Sequence, residues 1–210
     1  LARHAQKIGA YATAAIAPFF FRPAAVADLA AFIERLAAAA PKLPFYFYHM
    51  PSLSNVNFRM VDLLPQVSRI PNFAGVKFTC ENLMDFAAAA AIDNGRFEML
   101  FGRDEILLAG LALGAKGAVG STYNYSAAIY NRLIKAFNAG DMATARREQA
   151  LAAEYIEIMC RHGGLPAGKA IMKLVDLDCG PVRLPLKSLT GEQIHKLEND
   201  LKQSGFFANI

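Results

Sequence analysis

The sequence predicts an α/β chain built as about the last five βα units of a (β/α)8 TIM barrel, followed by a C-terminal helical extension. Three observations carry that expectation. Short apolar runs closed by Pro, Lys or Gly alternate with longer stretches of helical period. The runs are continuously apolar, as in a parallel sheet covered on both sides, where a half-buried strand would alternate with polar residues. They end near residues 18, 48, 77, 101 and 120, at intervals of 30, 29, 24 and 19 residues, so each unit has room for one strand, one helix and no large insertion.

The elements follow in order. Leu1 to Gly9 reads as the last turns of a helix stopped by glycine. Tyr11 to Ala17 is a strand closed by Pro18, and Val26 to Ala40 a helix. The pattern repeats as strand Phe45 to His49, helix Arg59 to Val67, strand Phe73 to Phe78, helix Asn82 to Ile92, strand Phe97 to Phe101, helix Asp104 to Leu113 and strand Gly117 to Gly120. Beyond Ser121 only helices are expected: Ala127 to Ala139, Met142 to His162, Gly168 to Val175, and Gly191 to Gln203 capped by Thr190. A Pro- and Gly-rich loop from Cys179 to Leu186 joins the last two. The division expected is a barrel part over residues 1–126 and a helical extension over 127–210. Five units do not close a barrel of eight, and the chain opens inside a helix, so about three βα units are expected ahead of it. An open doubly wound sheet is the alternative, but no Gly-x-Gly-x-x-Gly follows any of the strands.

With 210 residues, 54% of them hydrophobic and 19% charged, the chain is long and apolar enough for a sizeable core. Its net charge of +4 is scattered, with Arg146-Arg147 the one adjacent basic pair, which argues against nucleic acid. Cys80, Cys160 and Cys179 are odd in number and widely spaced, suggesting neither disulfides nor zinc, so a reducing cytoplasm is expected. The longest apolar run, Ile106 to Ala115, is about half of what a membrane-spanning helix needs. Gly163 to Lys169 has phosphate-loop spacing, but Ala170 replaces the metal-binding hydroxyl and helix precedes it.

In an α/β barrel the reactive groups stand at the C-terminal ends of strands. Lys77 ends an apolar strand there, where burial would favour the neutral amine that attacks a ketone. A lysine in that position can equally reach past the strand to solvent. One unit earlier, period-2 alternation sets Tyr46 and Tyr48 on one face and Phe47 and His49 on the other, which makes Tyr48 a neighbour of Lys77 or a plain core aromatic. The next two strand ends carry Gly102-Arg103-Asp104-Glu105 and Gly120-Ser121-Thr122-Tyr123-Asn124. Carboxylates and a hydroxyl beside glycines suit a polyhydroxylated ligand, although Asp104 and Glu105 also fit the negative first turn of a helix.

Taken together, Tyr48-His49-Met50-Pro51, Lys77, Gly102-x-Asp104-Glu105 and Gly120-Ser121-Thr122-Tyr123-Asn124 resemble the pyruvate-dependent class I aldolases that include N-acetylneuraminate lyase and dihydrodipicolinate synthase. The resemblance covers essentially the whole chain. The Gly-x-Asp-Glu and Gly-Ser-Thr-Tyr-Asn pair is similar to the sialic-acid branch, and Pro18-Phe19-Phe20-Phe21 to its animal-type members. It implies a Schiff-base lyase acting on N-acetylneuraminate, with Lys77 and Tyr48 catalytic. Thr79, Gly102, Asp104, Glu105, Gly120 and Ser121 would hold the substrate. It further implies no metal or organic cofactor, a sugar acid and pyruvate as small-molecule partners, and a homotetramer. The family's Gly-x-Thr-Gly-Glu loop, which binds the pyruvate carboxylate, belongs to a strand absent from this sequence. Two departures stand out: Asn55 where the family has glycine, and Phe20 where bacterial members often have a relay tyrosine. Leu53 replaces the arginine with which dihydrodipicolinate synthases hold a second carboxylate. The alternatives are a relative acting on another 2-keto-3-deoxy acid, or an inactive open barrel serving as an interaction partner.

Overall fold

The computed structural model describes all 210 residues and divides them into two compact units. The first comprises residues 1–103 and 112–119, and the second residues 104–111 and 120–210.

The first unit is built on five parallel strands, β1 (Thr13–Ile16), β2 (Phe45–His49), β3 (Phe73–Phe78), β4 (Glu98–Phe101) and β5 (Gly117–Ala118), paired in sequence order. Its helices are α1 (Ala2–Lys7), α2 (Val26–Ala38), the single turn α3 (Pro51–Ser54), α4 (Met60–Val67) and α5 (Leu83–Ala90). A doubly wound sheet reverses its strand order at a switch point. Here the order never reverses, and right-handed crossovers then put every helix on the same face. That singly wound arrangement is the wall of a barrel, as expected.

Burial follows from it. Phe45, Phe47 and His49 of β2, Phe78 of β3 and Phe101 of β4 are buried on the helix side. There the fully buried Phe86 of α5 meets Phe78 and Phe101 edge-on at 5.4 and 5.2 Å. On the opposite face Tyr46, Tyr48, Lys77 and Leu100 are only partly buried. The helices thus lie on the more deeply buried face of the sheet. Asp85 of α5 closes the helix layer by accepting the first N–H groups of α4, from Met60 at 2.7 Å and Val61 at 3.1 Å.

The second unit is helical: α6 (Leu107–Ala112), nearly all of which lies in it, α7 (Tyr123–Asn138), α8 (Met142–Arg161), α9 (Leu165–Leu174), α10 (Gly191–Gln203) and α11 (Phe206–Asn209). Ile129, Leu133, Ile171, Leu197, Leu201 and Phe206 form its core. Arg132 of α7 donates to Glu148 of α8 at 2.9 Å and to the Asn209 carbonyl at 3.2 Å, tying three helices at one guanidinium.

Several ends differ from expectation for local reasons. The helix expected to run to Ile92 stops at Ala90, because Asp93 and Asn94 adopt left-handed backbone at φ 53° and 55°. The helix expected from Asp104 opens instead as a 3-10 turn, Asp104–Ile106, ahead of α6. The fifth strand has two residues where four were expected. α7 starts earlier, at Tyr123, with an irregular residue at Ser126. The segment with phosphate-loop spacing is the turn into α9, with α8 before it and Lys169 inside the helix.

Candidate active site

Lys77 and Tyr48 pair directly across β2 and β3. The Lys77 Nζ stands 4.0 Å from the centroid of the Tyr48 ring, a cation–π contact. Alternation alone would not bring them together. Phe73 pairs with Phe45 on the helix side, and four residues further along a regular strand Lys77 would face the same way. A one-residue irregularity intervenes: Phe45 pairs with Phe73 but Tyr46 pairs with Gly75, leaving Ala74 as the extra residue. The bulge inverts the parity of the rest of β3 and turns Lys77 onto the face of Tyr48. Lys77 is partly buried, on the face of the sheet opposite the helices. The Tyr48 hydroxyl donates to Met50 Sδ at 3.0 Å.

Just past β3, the Thr79 N–H donates to the His49 carbonyl at 2.8 Å, and its buried hydroxyl has no hydrogen-bond partner. The Gly102 N–H donates to the Phe78 carbonyl at 2.8 Å, and a Cβ on Gly102 would collide with that hydroxyl. Glycine is therefore the one residue that leaves Thr79 in place. Arg103 pairs with Glu81. His49, buried on the helix side, has its pKa pushed down to about 4 by desolvation, against the opposing pull of Asp85. It is neutral at ordinary pH and stands apart from Lys77, as its alternation predicted.

In the helical unit Asp104 is buried and does not cap the helix it precedes. Its Oδ2 accepts from the Thr122 N–H at 2.9 Å and from the Thr122 hydroxyl at 2.5 Å, and that hydroxyl lies 2.6 Å from the Tyr130 hydroxyl. Gly120 lies flat against the Asp104 carboxylate, where any Cβ would strike it. Ser121 is exposed and Glu105 partly so. The Tyr123 phenol is pushed far up by burial, with Asp104 adding to the effect.

The residues singled out from the sequence therefore fall into two sets. Tyr48, Lys77, Thr79 and Gly102 belong to the first unit, and Asp104, Glu105, Gly120 and Ser121 to the second. Met50 and Thr122, partners of Tyr48 and Asp104, stand inside the quoted motifs but were given no role, since neither a thioether acceptor nor the partner of a threonine hydroxyl leaves a pattern in the sequence. Asn55 stands where the resemblance leads us to expect glycine. It takes the left-handed conformation at φ 54°, which asparagine tolerates better than most residues. Phe20 is 80% exposed and contacts Phe21 edge-on at 4.9 Å. No group of three or more His, Cys, Asp or Glu residues is arranged to hold a metal ion, and no helix is long and apolar enough to cross a membrane.

The dihydrodipicolinate synthetase family model matches residues 1–204. The chain is 44% identical over 213 residues to N-acetylneuraminate lyase of Mus musculus, covering 100% of this chain and 67% of that protein. It is 42% identical over 214 residues to the human N-acetylneuraminate lyase, covering 99% and 66%. Among solved structures, N-acetylneuraminate lyase (sialic acid aldolase) from Aliivibrio salmonicida superposes with a TM-score of 0.94 at 41% identity, over 98% of this chain and 69% of that one. N-acetylneuraminate lyase from Proteus mirabilis gives 0.93 at 38%, over 98% and 70%. The chain thus spans about two thirds of the length of these relatives. On the match over residues 1–204 and on identities above 40%, it belongs to the dihydrodipicolinate synthetase family.

Proposed function

We propose that this chain carries the Schiff-base centre of a class I aldolase that cleaves N-acetylneuraminate to N-acetylmannosamine and pyruvate. The observation that carries the reading is the pairing of Lys77 with Tyr48, an amine and a phenol on the same face of adjacent parallel strands. Relatives named N-acetylneuraminate lyase support the choice of substrate.

Lys77 attacks the C2 ketone of the open-chain acid and, with loss of water, forms an iminium. As the C3–C4 bond breaks, its electrons move toward the iminium nitrogen to give an enamine. The C4 hydroxyl proton passes to water or the substrate carboxylate through Tyr48, releasing the aldehyde of N-acetylmannosamine. Protonation of the enamine at C3 and hydrolysis of the imine then free pyruvate and Lys77. Thr79, Gly102, Asp104, Glu105, Gly120 and Ser121 hold the substrate, those of the Gly-x-Asp-Glu and Gly-Ser-Thr-Tyr-Asn segments at its hydroxylated tail. Leu53 supplies no cation for a second carboxylate, which disfavours dihydrodipicolinate synthesis. The same reading includes a cofactor-free reaction, a cytoplasmic homotetramer, and the division into a catalytic barrel part over 1–126 and a helical extension over 127–210.

The test is borohydride trapping. The chain is incubated with pyruvate, reduced and digested, and the added mass is located by peptide mass spectrometry. Label on Lys77 that vanishes in Lys77→Ala is the expected result. Label elsewhere, or none even when the family's upstream βα units are joined to the chain, removes Lys77 as the nucleophile.

A further inference from the structure

The Tyr48 hydroxyl is held by a residue to which the chemistry above gives no role. Two positions on, and still extended at φ −140° and ψ 77°, Met50 projects to the side that Tyr48 faces. Its Sδ accepts the Tyr48 hydroxyl at 3.0 Å. The Met50 backbone is pinned from the other direction. Pro51 opens α3 directly after it, and the Met50 carbonyl accepts from the Leu53 N–H at 3.2 Å, the Ser54 N–H at 3.1 Å and the hydroxyl of the buried Ser54 at 3.0 Å. A fixed backbone thus carries an adaptable side chain back over the phenol.

That contact decides which part of Tyr48 Lys77 meets. With its hydroxyl turned to the sulfur, the phenol presents its ring face to the amine, with Nζ 4.0 Å from the centroid. A ring face attracts the ammonium form and makes no claim on the lone pair of the neutral amine. A phenolic hydroxyl does the reverse, since it donates to that lone pair, and the lone pair is what attacks a ketone. Lys77 hangs on a flexible four-carbon stem, so its position over the ring does not by itself keep it from the hydroxyl. The direction of the hydroxyl does.

We infer that Met50 is a positioning residue whose thioether holds the Tyr48 hydroxyl away from Lys77, so that the amine reaches the ketone with its lone pair unoccupied. Sulfur suits the task because it is a weak acceptor, and it releases the hydroxyl when the oxygen on C4 of the substrate arrives. The inference rests on the reading of Lys77 as nucleophile and Tyr48 as proton carrier.

The experiment follows the rate at which pyruvate becomes trapped on Lys77. Reaction mixtures are quenched with borohydride at set times and the labelled peptide is measured, on the chain alone or, if it does not trap alone, joined to the family's upstream βα units. Met50→Leu keeps the bulk and removes the acceptor. It is expected to slow trapping by about fivefold, the contribution of one hydrogen bond, without changing the pyruvate concentration that gives half the maximal rate. Met50→Gln, which returns an acceptor on a side chain of similar length, should trap at close to the wild-type rate. Adding Tyr48→Phe to Met50→Leu should restore the rate as well, since no hydroxyl is left to reach the amine. A role in packing alone predicts neither rescue. Trapping by Met50→Leu at the wild-type rate, or a loss that persists without the Tyr48 hydroxyl, would overturn the role of Met50 and leave the aldolase reading standing. Absence of label at Lys77 in every form would overturn that reading and the inference with it.

Discussion

Tyr48 meets Lys77 with the face of its ring and spends its hydroxyl elsewhere, on Met50. Ring and hydroxyl are therefore separable by mutation. Tyr48→Phe keeps the cation–π contact and loses the hydroxyl proposed to carry the proton. It should still trap pyruvate on Lys77 under borohydride while cleavage falls by roughly 10²–10⁴-fold, the usual span of a general acid–base group. Tyr48→Leu should lose both. Comparing trapping yield with turnover in the two variants checks the assignment, and equal trapping losses in both would count against it.

Gly102 and Thr79 are coupled by contact. Gly102→Ala sets a methyl against the Thr79 hydroxyl and the Phe78 carbonyl, and should destabilise the chain by about 1–3 kcal/mol, as overpacking does. Removing the obstacle with Thr79→Ala should recover part of that loss. Denaturant melts of the two single variants and the double variant give the coupling energy. Strict additivity would show that the collision with Thr79 is not what makes glycine necessary.

His49 makes stability depend on pH. Its folded pKa of about 4 lies below the unfolded value near 6.5, so the unfolded chain binds the proton first. Stability from this group is fully present above about pH 6.5 and is lost as pH falls toward 4, by about 3 kcal/mol in all. Thermal melts from pH 7 to 4 should therefore fall more steeply for the wild type than for His49→Phe. Parallel curves would remove His49 as the source.

Thr122 is the link between Asp104 and Tyr130, and isosteric Thr122→Val removes its hydroxyl from both. The loss should be about 2 kcal/mol, since the buried carboxylate forfeits one of its donors, while Thr122→Ser should stay close to wild type. Chemical denaturation of the two variants distinguishes this polar chain from simple packing at the same site.

Much of this was legible in the sequence, and the remainder was hidden for identifiable reasons. Phe45–His49, Phe73–Phe78 and Gly191–Gln203 appear at the expected bounds, because apolar runs with closing residues, or a Thr cap followed by Gln193, are local signals. The Tyr48 and Lys77 pairing was reached by placing both at strand ends. The reason they share a face was not visible, since Ala74 looks like any small residue of a strand. Asp85 gave no sign that it caps α4, because its partners lie 24 and 25 residues earlier. Asp104 looked like the acid of a helix's first turn, and only tertiary structure shows its carboxylate serving Thr122. Local chemistry was readable; contacts across the chain were not.

The bulge at Ala74 divides the changes that β3 can survive from those it cannot. Conservative exchange of one strand residue for another leaves the count from Phe73 to Lys77 intact, and with it the direction of the amine. Loss or gain of one codon between them reverses that direction and drives a lysine into the aromatic layer of Phe78, Phe86 and Phe101. Evolution along this strand is thus open to point substitution and closed to single-residue insertion or deletion. A homologue whose alignment needs a one-residue gap here would have to restore the count nearby or give up a lysine on the face of Tyr48.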